Sequence, residues 1–231
     1  MGMSSLGPWT EAVGLEPVLE RLAEIGYENV EPYGSNLEPY TAEEFRELTD
    51  GLGLSVLTSH YSTDEATFDD TLAYVETLGQ QWVGSGGFAE PGIGSLAETL
   101  ATAETMDRLG ARSVDAGVGK FFGHNHDSEF TTVYPAGDHA EEELSAWELL
   151  VENTEPENVT FQLDVAWAEH AGVDVVELLE EHGDRIDLLH IKDAVNLGSE
   201  DGPDFVNLGE GDVPLQAILA KAQEVGVDLY T

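Results

Sequence analysis

The sequence predicts an α/β fold of alternating helices and parallel strands, closed as a (β/α)8 barrel, and three observations carry that expectation. One arrangement recurs along the 231 residues: an amphipathic helix, a glycine, a short apolar strand, then polar residues. Residues 159–193 hold a complete strand–helix–strand unit. Its apolar runs, Val159–Leu163 and Ile186–Ile191, suit strands buried on both faces, and the helix between them fits a right-handed parallel crossover. Finally, no Gly-rich dinucleotide fingerprint follows the first strand, as a doubly wound sheet built to bind a nucleotide would carry. A barrel gathers the C-terminal ends of its strands on one face, where barrel enzymes place their chemistry.

Taken in order, the elements are punctuated by caps and glycines. Pro17 suits the first turn of a helix whose Val18, Leu19, Leu22 and Ile25 face inward, with Gly26 ending it. A short strand, Tyr27–Val30, leads to Glu31. Thr41 and Glu44 have capping-box spacing, in which each side chain satisfies a backbone donor at the helix start; that helix runs through Phe45 and Leu48 to Gly53. The strand LSVLTSH ends at Ser59 and His60. A helix with Phe68, Leu72, Val75 and Leu78 inward stops at Gly79 before QWVGSGG. Ser95 and Glu98 open a long helix that continues past Gly110 to Gly117, and Val118–Gly123 is a strand running into HNHDSEF. After the loop TTVYPAGDHAEEE comes a helix at Leu144–Val151, then the strand–helix–strand unit, with Asp174 capping its helix and Gly183 ending it in a left-handed conformation. Pro214 starts a helix that Gly226 ends, and Val227–Thr231 begins a strand. The chain reads as one domain, 1–231, with an incomplete first strand in MGMSSLGPW and a barrel cut short at its C-terminal end.

Composition bounds the function. Eight Lys plus Arg stand against 47 Asp plus Glu, a formal charge of −39. Such an excess repels itself in dilute buffer, but at molar salt the screening length falls to roughly 3 Å. It reads as the hydrated carboxylate surface of a protein from a halophile, working in a salt-rich cytoplasm. The acids are interleaved with apolar periodicity, which argues against disorder. No basic stripe is available for a phosphate backbone, so nucleic acid is not the expected partner. There is no cysteine, hence no disulfide, thiol nucleophile or thiolate metal site. No apolar run is long enough to span a membrane, and no signal-peptide pattern opens the chain.

Polar groups collect at strand ends. Asp164 follows FQL, and His190, Lys192 and Asp193 lie in LLHIKD. An Asp and a His on neighbouring parallel strands suit one divalent cation; taken singly, Asp164 could cap a turn and His190 could be a hydrogen-bonded core histidine. His124 and His126 can point the same way, since neighbours alternate along a strand. His60, directly after an apolar strand, and Glu31 would line the same rim, although acidic surface residues are common here. Lys192 is one of only three lysines, retained where it could hold a substrate oxyanion or act as an acid. Trp167 and Phe130 are candidates for an apolar pocket wall or for core packing. Gly209-Glu210-Gly211 reads as a flexible turn able to approach substrate, and His139, His170 and His182 read as surface.

IGYENVEPYG, LTSH, FFGHNHDSEF, FQLDVAWAEHAG, RIDLLHIKD and LGEGDVPLQAIL occur in the order expected of sugar phosphate isomerases/epimerases. Across nearly its whole length the chain resembles the xylose isomerase-like TIM-barrel superfamily, which includes endonuclease IV. The resemblance implies a divalent metal at the barrel mouth, held by two Glu, one Asp and one His, and proton transfer on a bound polyol or keto-sugar. By position, Asp164 resembles the ligand Asp and His190 the ligand His. Where many relatives read Glu-Asn-His, this chain reads His124-Asn125-His126, and the eighth-strand Glu would lie beyond Thr231. These two Glu also form the acid/base pair of the epimerases, so both departures bear on mechanism. Imidazole can replace carboxylate at Zn²⁺ or Mn²⁺, and mixed N/O ligation suits them better than Mg²⁺. The expected site therefore has Asp164, His190 and His124 as ligands. His126, Glu129, His60 and Lys192 serve acid–base and substrate roles, and Glu31 and Trp167 bind substrate. The expected activity is isomerisation or epimerisation of a small sugar, sugar phosphate or cyclitol, by a soluble protein compatible with a homo-oligomer. The alternatives are a keto-inositol dehydratase-like lyase and a catalytically silent sugar-binding barrel. An endonuclease IV-like nuclease is disfavoured by the scarcity of cations.

Overall fold

The longest strand, Val159–Asp164, is buried at every position, as an apolar run clothed on both faces must be. In the computed structural model, which describes residues 1–135 and 143–231, it is the fifth of nine strands. These are β1 (Val83–Gly84), β2 (Phe121–His124), β3 (Val133–Pro135), β4 (Glu143–Ser145), β5 (Val159–Asp164), β6 (Leu188–His190), β7 (Asp193–Val195), β8 (Asp204–Val206) and β9 (Leu229–Tyr230). β1, β2, β5, β6 and β9 form one sheet in that order, with every pairing parallel. Single parallel bridges extend the curl on the N-terminal side, from Gly84 to His60, Tyr33 to His60, Asn29 to Ser55 and Glu31 to Gly2. The outcome is a curled parallel sheet with helices outside it, an α/β barrel architecture. The expected first strand is as short as MGMSSLGPW suggests: Met3 N donates to Glu31 O and Glu31 N to Met1 O, after which Met3–Leu6 turns into a 3-10 helix. Among the described residues no backbone hydrogen bond joins β9 to residues 1–3.

The caps appear where the spacing puts them. Thr41 and Glu44 form a reciprocal capping box ahead of the helix Ala42–Leu52. Ser95 Oγ accepts from Glu98 N before Leu96–Asp115, and Asp174 accepts from Val176 and Glu177 before Val175–His182. Gly26, Gly53, Gly79 and Gly226 all take the left-handed conformation at helix ends. Gly183 does not. Its φ is −59°, the chain passes into a 3-10 turn, and a Cβ there would stand 2.7 Å from the Cβ of Val225. Close helix packing, not a left-handed cap, therefore requires glycine at 183. The same holds for Gly110 inside the long helix, where an added Cβ would collide with the Asn158 carbonyl.

Val18, Leu19 and Leu22 are buried as expected, but Ile25 is 57 % exposed. It is the last residue of its helix, directly before the left-handed Gly26. The core has three parts, the smallest being Phe122, Leu188 and Leu229 inside the curl of the sheet. A larger cluster under β1, β2, β5 and β6 is built on Phe68, Met106, Phe121, Trp147 and Phe161, and a smaller one joins Met3, Leu19, Phe45 and Leu54. Phe130 packs on Trp147 with ring centroids 5.5 Å apart, and the two line a cleft with Val133, Val173 and Leu178 that does not include the clustered histidines His60, His124 and His190. His182 stacks edge-on against Trp147 and His170 Nδ1 accepts from Gly198 N; both are half-buried rather than surface residues. His139 lies outside the described residues.

Candidate functional site at the mouth of the sheet

The register of two adjacent strands sets the centre of the site. β5 and β6 run parallel with Asp164 opposite His190, and β2 and β5 pair with His124 opposite Gln162. Side chains two apart on a strand share a face, so Gln162 and Asp164 project to the same side. His60 enters from the bridge to Gly84 and Glu31 from the bridge to Gly2. Three imidazoles thus meet. The rings of His124 and His190 are 4.6 Å apart, and those of His60 lie 5.3 Å and 5.7 Å from them. One nitrogen of each falls within 4.8 Å of the other two, so these three histidines could form a metal site.

Carboxylates and an amide wire the imidazoles together. Glu31 Oε1 lies 2.9 Å from His190 Nε2 and 3.0 Å from His60 Nε2, and Oε2 accepts from Gln162 Nε2 at 2.9 Å. Gln162 Oε1 lies 2.9 Å from His60 Nε2 and 3.0 Å from His124 Nδ1. Asp164 Oδ1 accepts from the backbone of Ala166 and Trp167, capping the helix Val165–His170. Its Oδ2 faces His190 Nδ1 at 3.7 Å, His124 Nε2 at 3.8 Å and the Lys192 ammonium at 2.7 Å. Asp164 is therefore both a cap and a site residue, one oxygen for each. Asn125 braces the same point: its amide nitrogen donates to Asp164 O and its amide oxygen accepts from Asp164 N.

Burial and charge then set the protonation states. Burial would raise the Glu31 carboxyl, but His190 and His60 hold it well below its ordinary range. Asp164 is likewise held low against burial by His190, Lys192 and His124. Burial pulls His190 down, yet Glu31 and Asp164 outweigh it and lift the imidazole to about 9. His124 goes the other way, pushed well below its ordinary value by burial and by His190 despite Asp164.

The remaining expected residues fall around this centre. His126 is half-buried, with its ring 5.2 Å from His124 and 5.5 Å from Trp167. Trp167 also faces Phe205 of β8 at 5.5 Å, and Lys192 lies 5.3 Å from the centroid of that ring, so Trp167 and Phe205 form an aromatic side to the mouth. Glu129 is buried but turned onto its own loop, accepting from His126 N at 2.7 Å and from Ser128 Oγ at 2.9 Å. The Gly209–Gly211 turn is tethered: Asp193 Oδ2 accepts from Gly209 and Gly211 and Oδ1 from Val213. Gln162 was the residue the sequence reading missed. The available signal was a glutamine inside an apolar strand, two positions before Asp164 and hence on its face.

A donor set of His124, His190 and Asp164 fits a divalent cation on two observations. His190 Nδ1 is buried without a hydrogen-bond partner among the described residues, and it and His124 Nε2 converge on one carboxylate oxygen. Neutral imidazole with carboxylate is the chemistry of Zn²⁺ or Mn²⁺ sites.

A curled parallel sheet with imidazoles and carboxylates gathered at the C-terminal ends of its strands defines an α/β barrel with a polar mouth. The chain belongs to the xylose isomerase-like TIM barrel family, whose model matches residues 19–230. Among solved structures, a sugar phosphate isomerase/epimerase from Parabacteroides distasonis is 25% identical, with a TM-score of 0.77 over 100% of this chain and 83% of the other. A zinc-bound IOLI protein is 19% identical, with a TM-score of 0.67 over 94% and 82%. A probable 3-DHS dehydratase from Bacillus anthracis is 14% identical, with a TM-score of 0.71 over 94% and 86%. No curated protein sequence matches the chain. No described helix is long and apolar enough to cross a membrane.

Proposed function

We propose that this protein is a divalent-metal-dependent isomerase or epimerase that moves a proton on a small keto-sugar, sugar phosphate or cyclitol. The observation that carries the reading is the convergence of His124 Nε2 and His190 Nδ1 on Asp164 Oδ2, at adjacent strand ends in a family with a sugar phosphate isomerase/epimerase among its structural relatives. When bound, Zn²⁺ or Mn²⁺ supplies a Lewis acid that polarises a substrate carbonyl. His124, His190 and Asp164 hold it. Lys192, a cation competing for the same Asp164 oxygen, is placed to pair with a substrate oxyanion. His126, on the open side of the cluster against Trp167, takes the proton from the substrate carbon. Glu129 holds the His126 backbone and His60 is held by Glu31 and Gln162; both orient the groups that react. Trp167 offers an apolar face to sugar C–H groups.

The test is solvent deuterium exchange into a panel of keto-sugars and keto-inositols at high salt with Zn²⁺ or Mn²⁺. Loss of a general base usually costs about 10²–10⁴ in rate, so His126→Ala should lower exchange by that factor while metal binding persists. Tight binding of a panel sugar with no exchange in the parent protein would leave a sugar-binding barrel in place of the enzyme.

A further inference from the structure

We propose that Gln162 is a positioning residue that dictates which nitrogen of His124 and of His60 carries the proton, leaving His124 Nε2 free to face Asp164. The argument is an inventory of donors and acceptors. Glu31 Oε2 sits 2.9 Å from one end of the Gln162 amide, and a carboxylate only accepts. The amide nitrogen must therefore face Glu31, because the reverse orientation would set two acceptor oxygens against each other. That turns the amide oxygen onto His60 Nε2 and His124 Nδ1, at 2.9 Å and 3.0 Å. An amide oxygen also only accepts, so both of these nitrogens carry N–H. A neutral imidazole has a single N–H, so the other nitrogen of His124 keeps its lone pair, and that nitrogen is the one 3.8 Å from Asp164 Oδ2.

The same logic runs through Glu31 to His190. Its Nε2 donates to Glu31 Oε1 at 2.9 Å, leaving Nδ1, the nitrogen without a hydrogen-bond partner, turned to the same Asp164 oxygen at 3.7 Å. One glutamine and one glutamate, neither touching Asp164 through a hydrogen bond, thus aim the His124 Nε2 lone pair and the His190 Nδ1, which holds a proton that a metal would have to displace, at one point. For His60 the outcome is opposite. Its Nε2 N–H is shared between Gln162 and Glu31, so that nitrogen is a donor within the network and not a ligand. The proton placement stands on the hydrogen bonds alone; its consequence for metal affinity rests on the metal reading above.

The experiment reads the protons directly in the metal-free protein at high salt with ¹⁵N-labelled histidine. Long-range ¹H–¹⁵N spectra should show His124 as the Nδ1–H tautomer and His60 as the Nε2–H tautomer. Gln162→Met, close in size but without donor or acceptor, should convert His124 to a mixture or to Nε2–H. Gln162→Glu, protonated on the oxygen that faces Glu31, retains both the donor to Glu31 and the acceptor toward His124 and should retain Nδ1–H, a rescue that a purely space-filling role would not produce. Calorimetric zinc titration should show Gln162→Met weakened about 10–100-fold, as for other residues that orient metal-ligating histidines. His124 carrying its proton on Nε2 in the parent protein overturns the proposal whether or not the variants fold, as does an unchanged tautomer in folded Gln162→Met. The expected tautomers in a parent protein that binds no zinc would support the role of Gln162 and sink the metal reading instead.

Discussion

The two ends of β6 meet charge in opposite ways. Just before the strand, Asp187 pairs with Lys120 at 3.1 Å, with side chains 17 % and 32 % exposed, and accepts from Trp82 Nε1. Beyond that pair the interior is apolar, filled by Phe122, Leu188 and Leu229. At the other end of the strand His190, Glu31 and Asp164 are all buried, and each depends on the others for its charge state. Partly solvated pairs of the first kind contribute about 0–1 kcal/mol. Buried charges of the second kind carry a desolvation penalty that only mutual pairing offsets, and removing one partner leaves the rest uncompensated. A strand a few residues long thus joins a partly solvated ion pair at one end to a buried cluster of charges at the other.

Breaking the buried cluster should have the largest effect. Asp164→Asn retains an oxygen to cap Val165–His170 and removes only the carboxylate, so helical circular dichroism should be kept. Calorimetric zinc or manganese binding should disappear. Stoichiometric binding in that variant would move the ligand set to the three imidazoles of His60, His124 and His190.

Salt should act on the exterior and spare the mouth. With a formal charge of −39, the protein should lose cooperative thermal unfolding on dialysis into dilute buffer and regain it as salt is restored. Screening at about 1 M reaches within roughly 3 Å of each exposed charge but acts much less on buried pairs. A thermal midpoint independent of salt between about 0.1 and 3 M would remove the surface repulsion from the account.

The pH response sharpens the same contrast. His190 rises to about 9 in the folded state, from an ordinary histidine value of about 6.5. A raised pKa means its stabilisation is complete below about 6.5 and is lost as pH climbs through about 9. Glu31 and Asp164 are depressed, so theirs is complete above the ordinary carboxylate range of about 4 and fades only in acid. The thermal midpoint of metal-free protein should therefore fall between about pH 6.5 and 9, and His190→Asn should flatten that fall. Zinc affinity should rise across the same window, because proton and metal compete for His190 Nδ1. An identical pH slope in His190→Asn would assign the fall to another group.

The smallest effect is expected at the partly solvated ion pair. Lys120→Gln should cost no more than about 1 kcal/mol by denaturant unfolding at high salt, with zinc binding unchanged. A larger loss, or a change in zinc affinity, would mean that the two ends are coupled through the strand.

Local spacing carried much of the architecture. Alternating periodicities gave the parallel α/β order, Thr41–Glu44 and Asp174–Glu177 marked helix starts, and adjacency in the strand–helix–strand unit put Asp164 beside His190, as the register of β5 and β6 bears out. These features were legible because a cap or a strand neighbour depends on residues a few positions away or on one crossover. What the curl of the sheet decides was not legible. Glu31 reaches His190 across 159 positions of sequence, and in a chain with 47 acidic residues nothing local separates a buried carboxylate from a solvated one. Glu129, equally acidic and beside the histidines in sequence, turned back on its own loop. Gly183 is glycine because Val225 of another helix presses on it. Gln162 meets Glu31, His60 and His124, which come from three separate stretches of the chain. Composition and periodicity specify what each element is; which side chains meet at the mouth depends on how far the sheet bends, and that is a property of the closed packing of all the elements together.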